Sequence, residues 1–237
     1  MTSEVSTTPP IGGQKRGRTR TRSRREIAAA AIAVADNDGL SAVTMRAVAR
    51  NLSTGPASLY RYVKTRQDLI AIMVDEVNAE FDFTNRGQHQ QPWLDQVVDL
   101  AHQARKIYRQ HPWMLDALDT TPTLGPNGLA YLEHALAILS STNADASTKL
   151  ETIGVFGGLV RLLCKHEQIQ QDSQTAPPNQ PSLQVAATEP VQNYPHLSAA
   201  LAEAGPVDNN QFDRVIRRVV LGMLAADSLD APSDSSN

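Results

Sequence analysis

The segment 56–64 combines small, polar and basic side chains at a spacing that suits contact with DNA. If it forms a helix, Leu59 and Val63 fall on one side as an anchoring face. The opposite side then carries Ala57, Ser58 and Arg61. A helix face built from small and polar residues can enter a major groove closely, and an arginine there can donate two hydrogen bonds to one guanine. The segment therefore predicts base reading.

The flanks of the same helix favour contacts with the DNA backbone. Tyr60, Tyr62 and Lys64 are placed for phosphates, which fix the register of a protein on DNA without reading its sequence. An ordinary solvated helix face usually carries Glu/Lys pairs, whereas the stretch 51–67 contains no acidic residue. This composition favours DNA contact over a solvated surface.

The preceding residues predict a helix-turn-helix. Thr44 can cap a short helix whose apolar stripe is formed by Met45, Val48, Ala49 and Leu52. The turn 53–55 follows, and Gly55 is free to adopt a positive φ. Pro56 suits the first position of the next helix, where its missing N–H costs nothing. Two short helices joined by a glycine-containing turn form this motif.

Helical periodicity extends over the rest of the chain and predicts an all-α fold. Ser23 and Glu26 form a capping-box pattern before a helix that runs to about residue 37 and ends at Asp38-Gly39. Further helices are predicted at about 66–81, 92–110, 113–119, 126–141, 146–168, 195–204 and 209–227. Polar loops are predicted at 84–91 and 169–193, and no convincing strand or internal repeat is present.

The charge distribution divides the chain into parts with different partners. Residues 1–66 contain twelve Lys or Arg and four acidic residues, whereas the remainder contains ten and twenty-one. A basic part followed by an acidic one indicates that only the N-terminal part meets a polyanion. The predicted organisation is a disordered arm (1–22), a DNA-binding domain (23–66), a helical regulatory and dimerisation domain (67–228) and a polar tail (229–237).

The arm carries Arg18, Arg20 and Arg22 in a sequence with almost no large apolar residues. Such a composition predicts disorder in the free protein. Its residues either lie along the DNA backbone or form a solvated tail, and the adjacent DNA-binding motif favours DNA contact.

The residues around the motif also resemble the tetracycline-repressor (TetR) family. The likeness lies in 44–50, Leu52 and 58–64, and a looser one lies in 194–197, 199–201, 212–214 and 221–222. The resemblance implies an Ω-shaped homodimer that binds a palindromic operator and is released by a small molecule. It assigns DNA contacts to Arg46, Pro56, Ala57, Ser58, Tyr60, Arg61, Tyr62 and Lys64, and the expected interface also includes Thr44 and Thr54.

The resemblance does not extend to the histidines that hold drug-bound magnesium in the tetracycline repressor. The corresponding places are Asp82 and a stretch around Ala117 that lacks histidine. The sequence therefore does not predict a tetracycline–magnesium inducer. We expect no metal and no cofactor, and a small-molecule inducer of unknown identity.

Two predicted helices favour dimerisation. Gly154, Gly157 and Gly158 share a face of one helix, where glycine costs about 1 kcal/mol per residue relative to alanine. Close approach of another helix, from the same chain or from a partner subunit, would explain them. The last helix offers a second apolar face, formed by Phe212, Val215, Ile216, Val219 and Met223. Together the two helices can form an intersubunit four-helix bundle.

The ligand site is less clearly marked. The middle helices offer large apolar groups with a few polar atoms, and as a group these residues resemble the lining of a small-molecule pocket. Each of them taken alone is more often part of a core than a ligand contact. The candidates are His102, Trp113, Met114, Tyr131, His134 and Phe156.

These patterns favour a ligand-released repressor over two other classes. An activator, or a regulator without a ligand, of the same fold stays open. An enzyme is disfavoured because the chain lacks H-E-x-x-H, G-x-S-x-G, P-loop and dinucleotide-binding motifs. No apolar run approaches the roughly 20 residues of a membrane span, and Cys164 is the only cysteine, which favours the cytoplasm.

Overall fold

The computed structural model describes residues 23–84, 91–120, 124–172, 193–203 and 210–225, and these ranges contain helices and no strand. The helices are α1 (Arg24–Asp38), α2 (Met45–Asn51), α3 (Pro56–Leu59), α4 (Arg66–Asn78), α5 (Trp93–Gln110), α6 (Met114–Thr120), α7 (Pro126–Leu139), α8 (Ala146–Asp172), α9 (Pro195–Glu203) and α10 (Gln211–Ala225). The prediction of an all-α fold is confirmed. The predicted arm, the tail and most of both predicted loops lie outside the described residues.

Local capping explains where the first helices begin. The side chain of Ser23 accepts a hydrogen bond from the amide of Glu26 (3.1 Å), and the Glu26 carboxylate accepts one from the Ser23 amide (2.8 Å). This reciprocal pair is the predicted capping box. Thr44 caps α2 in the predicted way, since its hydroxyl accepts from the amide of Ala47 at 3.1 Å.

The turn before α3 differs from the sequence prediction. Gly55 has an ordinary φ of −81°, whereas Ser53 adopts the left-handed conformation with a φ of +50°. The predicted third helix, 56–63, keeps α-helical hydrogen bonding only over Pro56–Leu59 and continues as a turn. The amide of Val63 still donates to the Leu59 carbonyl (3.0 Å), so the segment keeps its helical course.

Helix α4 joins the DNA-binding part to the rest of the protein, because it packs on α1 and also on α7 and α6. It begins with a second capping box, formed by Thr65 and Asp68, and ends three residues earlier than predicted, at Asn78. A second connection lies at the far end of α1. The carboxylate of Asp36 accepts from the indole N–H of Trp113 (2.7 Å) and lies 2.8 Å from the imidazole of His111.

The larger C-terminal part is built around α8, which packs against α5, α7 and α10. Its inner face, including Phe156, Val160 and Cys164, is buried. Helix α8 extends to Asp172, past the predicted end at 168, so it includes the first four residues of the predicted loop 169–193. Within the described ranges, no helix is long and apolar enough to cross a membrane.

Candidate DNA-reading face and ligand cleft

The segment after Gly55 presents the predicted face to solvent. Leu59 and Val63 are buried in the core, as the anchoring role requires. The predicted DNA contacts that are exposed are Thr44, Arg46, Pro56, Ala57, Tyr60, Arg61 and Lys64. Tyr60 is 53% exposed, which is unusual for a large aromatic side chain without a partner surface. The arrangement is suited to insertion into a groove, with Arg61 available for a base edge.

The hydroxyl groups near this face have local partners. Ser58 donates to the Gly55 carbonyl (2.7 Å), and its oxygen lies 2.9 Å from the Thr54 hydroxyl. Thr54, Ser58 and Tyr62 are half-buried. These bonds fix the turn and the start of α3, so Thr54 and Ser58 help to position α3 in the free protein. Arg18, Arg20 and Arg22 lie outside the described residues.

Two basic residues of the N-terminal part act within the fold. Arg66 donates to the backbone carbonyls of Val43 (2.9 Å) and Leu40 (2.7 Å), which ties the start of α4 to the segment between α1 and α2. Arg25 pairs with Glu76 of α4 at 2.7 Å. Their charge adds to the positive field, whereas their hydrogen bonds hold α4 against the DNA-binding part.

A cleft of about 450 Å³ lies between α4, α5, α7 and α8. Its walls are Asn78, Phe81, Tyr108, Leu118, Leu124, Gly128, Tyr131, Leu132, Leu150, Ile153, Gly154, Gly157, Gly158 and Arg161. The three glycines of α8 lie on this cleft, and a Cβ atom built on any of them would meet no atom within 4 Å. No helix of the described chain approaches them, so the intrachain explanation for the glycines does not hold; their missing side chains leave the cleft open.

The polar side chains that line the cleft carry two phenols, a guanidinium and the amide of Asn78. Burial raises the pKa of Tyr108 to about 12, and burial likewise raises the pKa of Tyr131. Both therefore remain neutral hydroxyl groups at physiological pH and can donate or accept hydrogen bonds. Arg161 is the single charged side chain among the described residues that line the cleft.

Of the six ligand candidates from the sequence, the structure places only Tyr131 in this cleft. Trp113 is 4% exposed, and its indole N–H is used by Asp36. Met114 and Phe156 are buried in the core. The residues that line the cleft differ from most of the predicted set, because helical periodicity could not distinguish these helix faces from core.

The two histidine candidates have partners elsewhere. His102 lies 2.8 Å from the Asp213 carboxylate of α10, and its ring is 5.3 Å from that of Phe212. His134 stacks on Phe83 at a centroid distance of 4.6 Å. Residues that the sequence analysis missed are Phe81, Tyr108 and Arg161. Periodicity could not distinguish Tyr108 from a core residue, and the position of Arg161 depends on tertiary packing.

The predicted dimer residues of α10 divide into two groups. Phe212 and Ile216 are buried inside the chain, and the Arg105 guanidinium lies 4.6 Å from the centre of the Phe212 ring. This placement corrects their assignment to an intersubunit surface. Val215, Val219 and Met223 are half-buried along one side of α10. The sequence pattern identified an apolar helix correctly but could not divide its residues between the internal and external faces.

Within the described ranges, no group of three His, Cys, Asp or Glu residues is arranged to hold a metal ion. Asp82, the position compared with a magnesium-binding histidine, instead accepts from the amide (2.9 Å) and hydroxyl (2.6 Å) of Thr84. These bonds hold the pKa of the Asp82 carboxyl below its usual value, and the bond from the Thr84 side chain has the larger effect.

A helix-turn-helix with an exposed basic face, joined by one helix to a larger helical domain, defines a DNA-binding transcriptional regulator. Profiles of two protein families support this class. "Bacterial regulatory proteins, tetR family" matches residues 27–72, and "Tetracyclin repressor-like, C-terminal domain" matches residues 86–226. The chain therefore belongs to the TetR family of transcriptional regulators, and the resemblance seen in the sequence is confirmed.

Two relatives of the chain are named as transcriptional regulators. The chain is 29% identical over 144 residues to the HTH-type transcriptional repressor DrrR1 of Streptomyces coeruleorubidus. That match covers 59% of this chain and spans about half (52%) of the relative. An HTH-type transcriptional regulator of Saccharopolyspora erythraea is 25% identical over 199 residues, with 82% and 81% of the two chains covered.

Solved structures share the fold. Apo ActR of Streptomyces coelicolor has a TM-score of 0.67 and 23% identity, with 90% of this chain and 100% of that chain covered. ActR in complex with (S)-DNPA has a TM-score of 0.68 and the same identity, with 88% and 100% covered. A further ActR structure contains actinorhodin, with a TM-score of 0.65, 23% identity, and 86% and 98% covered.

Proposed function

We propose that this regulator is a repressor that binds a palindromic operator as a homodimer and is released when a small molecule enters the cleft. The observation that carries the proposal is the position of α4, which packs on α1 of the DNA-binding part and also contributes its last residue, Asn78, to the cleft. Because the proposed operator is genomic DNA, we propose that the protein acts in the cytoplasm. The name of the DrrR1 relative supports repression, and the ligand-bound ActR structures support the binding of a small molecule.

The release mechanism follows from the position of the cleft. A ligand that contacts Asn78 and Phe81 presses on the end of α4 and on the residues directly after it. Because Arg25 and Arg66 bind α4 to its neighbours, a shift of α4 also shifts the DNA-binding part. In a dimer, such a shift changes the spacing of the two reading helices, which must match half-sites about one helical turn apart. A ligand with higher affinity for the shifted state then weakens operator binding.

The release experiment uses an operator selected by the full chain from random duplexes. We expect a two-fold symmetric sequence and two protomers per duplex. A compound that lowers operator affinity is then compared on wild type, on Gly157→Leu, which fills the cleft, and on Ala130→Leu, an exposed α7 position outside it. The compound should release wild type and the Ala130 variant and leave the Gly157 variant bound. Selection without an enriched symmetric site, or equal release of all three proteins, would contradict the proposal.

The outer face of α8 supports the homodimer. Val155, Leu162 and Ile169 are 43%, 57% and 56% exposed at seven-residue intervals, so they lie on one side of the helix. Exposed apolar rows of this kind mark protein interfaces. Val215, Val219 and Met223 of the packed α10 extend the surface, and two copies of the pair would form a four-helix bundle.

Leu162→Asp should separate the protomers, because a carboxylate in an apolar interface core is costly to desolvate. Leu129→Asp is a matched control, since Leu129 is also 57% exposed but belongs to α7. Sedimentation velocity at micromolar concentration should show a dimer for wild type and for the Leu129 variant and a monomer for the Leu162 variant. A monomeric wild-type protein, or dissociation of both variants alike, would exclude the proposed interface.

A further inference from the structure

The guanidinium of Arg161, on the wall of the cleft, is incompletely satisfied by its own chain. Its Nε atom is buried and has no hydrogen-bond partner among the described residues. Its Nη1 atom lies 3.5 Å from the Asp119 carboxylate, which is longer than a charge-assisted hydrogen bond of about 2.7–2.9 Å. A buried donor without an acceptor is costly, so an acceptor supplied from outside would stabilise this site.

The nearby carboxylates are also shared with another cation. Lys165 binds Asp116 at 3.0 Å and lies 3.8 Å from the second oxygen of Asp119. Asp119 is 54% exposed and sits outside the set of cleft-lining residues. It is therefore a loose partner from which the Arg161 guanidinium can turn toward the cleft.

No acidic side chain among the described residues that line the cleft competes for the guanidinium of Arg161. Its other lining residues are aliphatic, aromatic, glycine or uncharged polar side chains. The aromatic rings of Phe81, Tyr108 and Tyr131 and the glycine face of α8 provide flat surfaces, which suit planar ring systems. In such surroundings of low dielectric, an arginine attracts an anion more strongly than in water.

We propose that the cleft binds a ring-containing, largely apolar organic anion whose oxyanion pairs with Arg161. The proposal rests on the ligand cleft of the proposed function and adds the charge class of the ligand. The apolar body lies against the aromatic and glycine walls, and the oxyanion accepts from Nε and an adjacent Nη donor of the guanidinium, which turns away from Asp119. The hydroxyls of Tyr108 and Tyr131 provide further donors.

Two dyes with the same carbon skeleton test the charge directly. 1-Anilinonaphthalene-8-sulfonate carries a sulfonate, and N-phenyl-1-naphthylamine does not. Fluorescence titrations with the full-length protein compare wild type with Arg161→Met and with Arg218→Met, an exposed arginine of α10 outside the cleft. Arg161→Met should weaken the sulfonate dye about tenfold or more and leave the neutral dye within about twofold, while Arg218→Met changes neither.

A second variant keeps the test independent of the stability of Arg161→Met. Asp119→Asn removes the competing carboxylate and should strengthen binding of the sulfonate dye alone. Gly157→Leu should weaken both dyes, which locates them in the cleft. The inference would be overturned if Arg161→Met and Asp119→Asn each changed the affinity for the sulfonate dye and for the neutral dye by the same factor. It would also be overturned if Gly157→Leu did not weaken binding of the sulfonate dye. Operator release is measured without either dye, so the proposed function is judged separately.

Discussion

The carboxylate of Asp75, on α4, accepts a hydrogen bond from the backbone amide of Asn127 (2.9 Å) at the start of α7. The next amide, that of Gly128, donates to the same oxygen at 3.1 Å. A carboxylate at this position satisfies unpaired N–H groups and interacts favourably with the helix dipole. The helix that joins the two parts of the protein therefore also caps a helix that lines the cleft.

Gly125 makes this cap sterically possible, because a Cβ atom built there would overlap the Asp75 carboxyl group. Asp75→Ala should lower the free energy of unfolding by about 1–2 kcal/mol, since it removes the capping bonds. Gly125→Ala should cost a similar amount in wild type, because it displaces the carboxylate, and clearly less in the Asp75→Ala background. Urea unfolding of the four proteins gives this double-mutant cycle.

Asp75→Asn is the matched control for the capping cycle. Its amide oxygen can still accept from the Asn127 and Gly128 amides, whereas the bond from the Asn127 side chain to the second oxygen (3.3 Å) is lost. The asparagine variant should therefore be more stable than the alanine variant. Additive effects of Gly125→Ala and Asp75→Ala would show that the glycine is required for another reason.

Asp36→Ala should destabilise the contact between α1 and the segment before α6. Trp113 is 4% exposed, so loss of its acceptor leaves a nearly buried indole N–H unpaired, at a cost of about 1–3 kcal/mol. Asp38→Ala, an exposed position two residues along the same helix, should stay within about 0.5 kcal/mol of wild type. Unfolding followed by tryptophan fluorescence measures both, and equal values for the two variants would argue against this connection.

Sequence reasoning predicted best the features that depend on near neighbours. The Ser23–Glu26 cap and the burial of Leu59 beside Val63 follow from spacings of three or four residues, and the structure contains both. The turn was predicted less well, because glycine tolerates a positive φ without requiring it, and Ser53 adopts it instead.

Features that join distant parts of the chain could not be predicted in the same way. The contact between Asp75 and the start of α7 spans 52 residues, and no local pattern marks it. Phe212 was expected between subunits because an apolar stripe shows that a helix is covered without showing by what. The α8 glycines posed the same ambiguity. Within the described chain they line a cleft, and their contact with a partner subunit stays a prediction.

Asp68 should make stability depend on pH in the acidic range. The Thr65 amide donates to its carboxylate at 3.0 Å, and this bond, with those from the Thr65 side chain and the Lys64 amide, holds the pKa of Asp68 below its usual value. The stabilisation is therefore present above the unfolded pKa of about 4 and is lost as the pH falls through the lower folded value.

The melting temperature of Asp68→Asn should accordingly fall less than that of wild type when the pH is lowered from about 6 to about 3. Thr65→Ser keeps the hydroxyl and the backbone amide, so it should retain the wild-type dependence. Thermal unfolding followed by circular dichroism across this range provides the measurement. Parallel curves for wild type and Asp68→Asn would mean that this cap does not contribute to acid sensitivity.

Arg61 and Lys64 are both exposed beside α3, and they should contribute to DNA binding in different ways. An arginine that donates two hydrogen bonds to guanine discriminates against other bases by about 1–3 kcal/mol. Arg61→Ala should therefore weaken the selected operator by this amount and relax the preference at one base pair of each half-site. Lys64→Ala should weaken all duplexes similarly and lower the slope of log K against log salt by about 1 per contact.

The two variants control for each other, because each removes one positive charge from the same short segment. Binding of each protein to the selected operator and to a scrambled duplex, at several salt concentrations, separates base reading from charge. A ratio of operator to scrambled affinity that stays at the wild-type value in Arg61→Ala would show that Arg61 contacts phosphate only. A fall of that ratio in Lys64→Ala would instead assign base reading to Lys64, and the groove-facing side of the helix would have to be rotated accordingly.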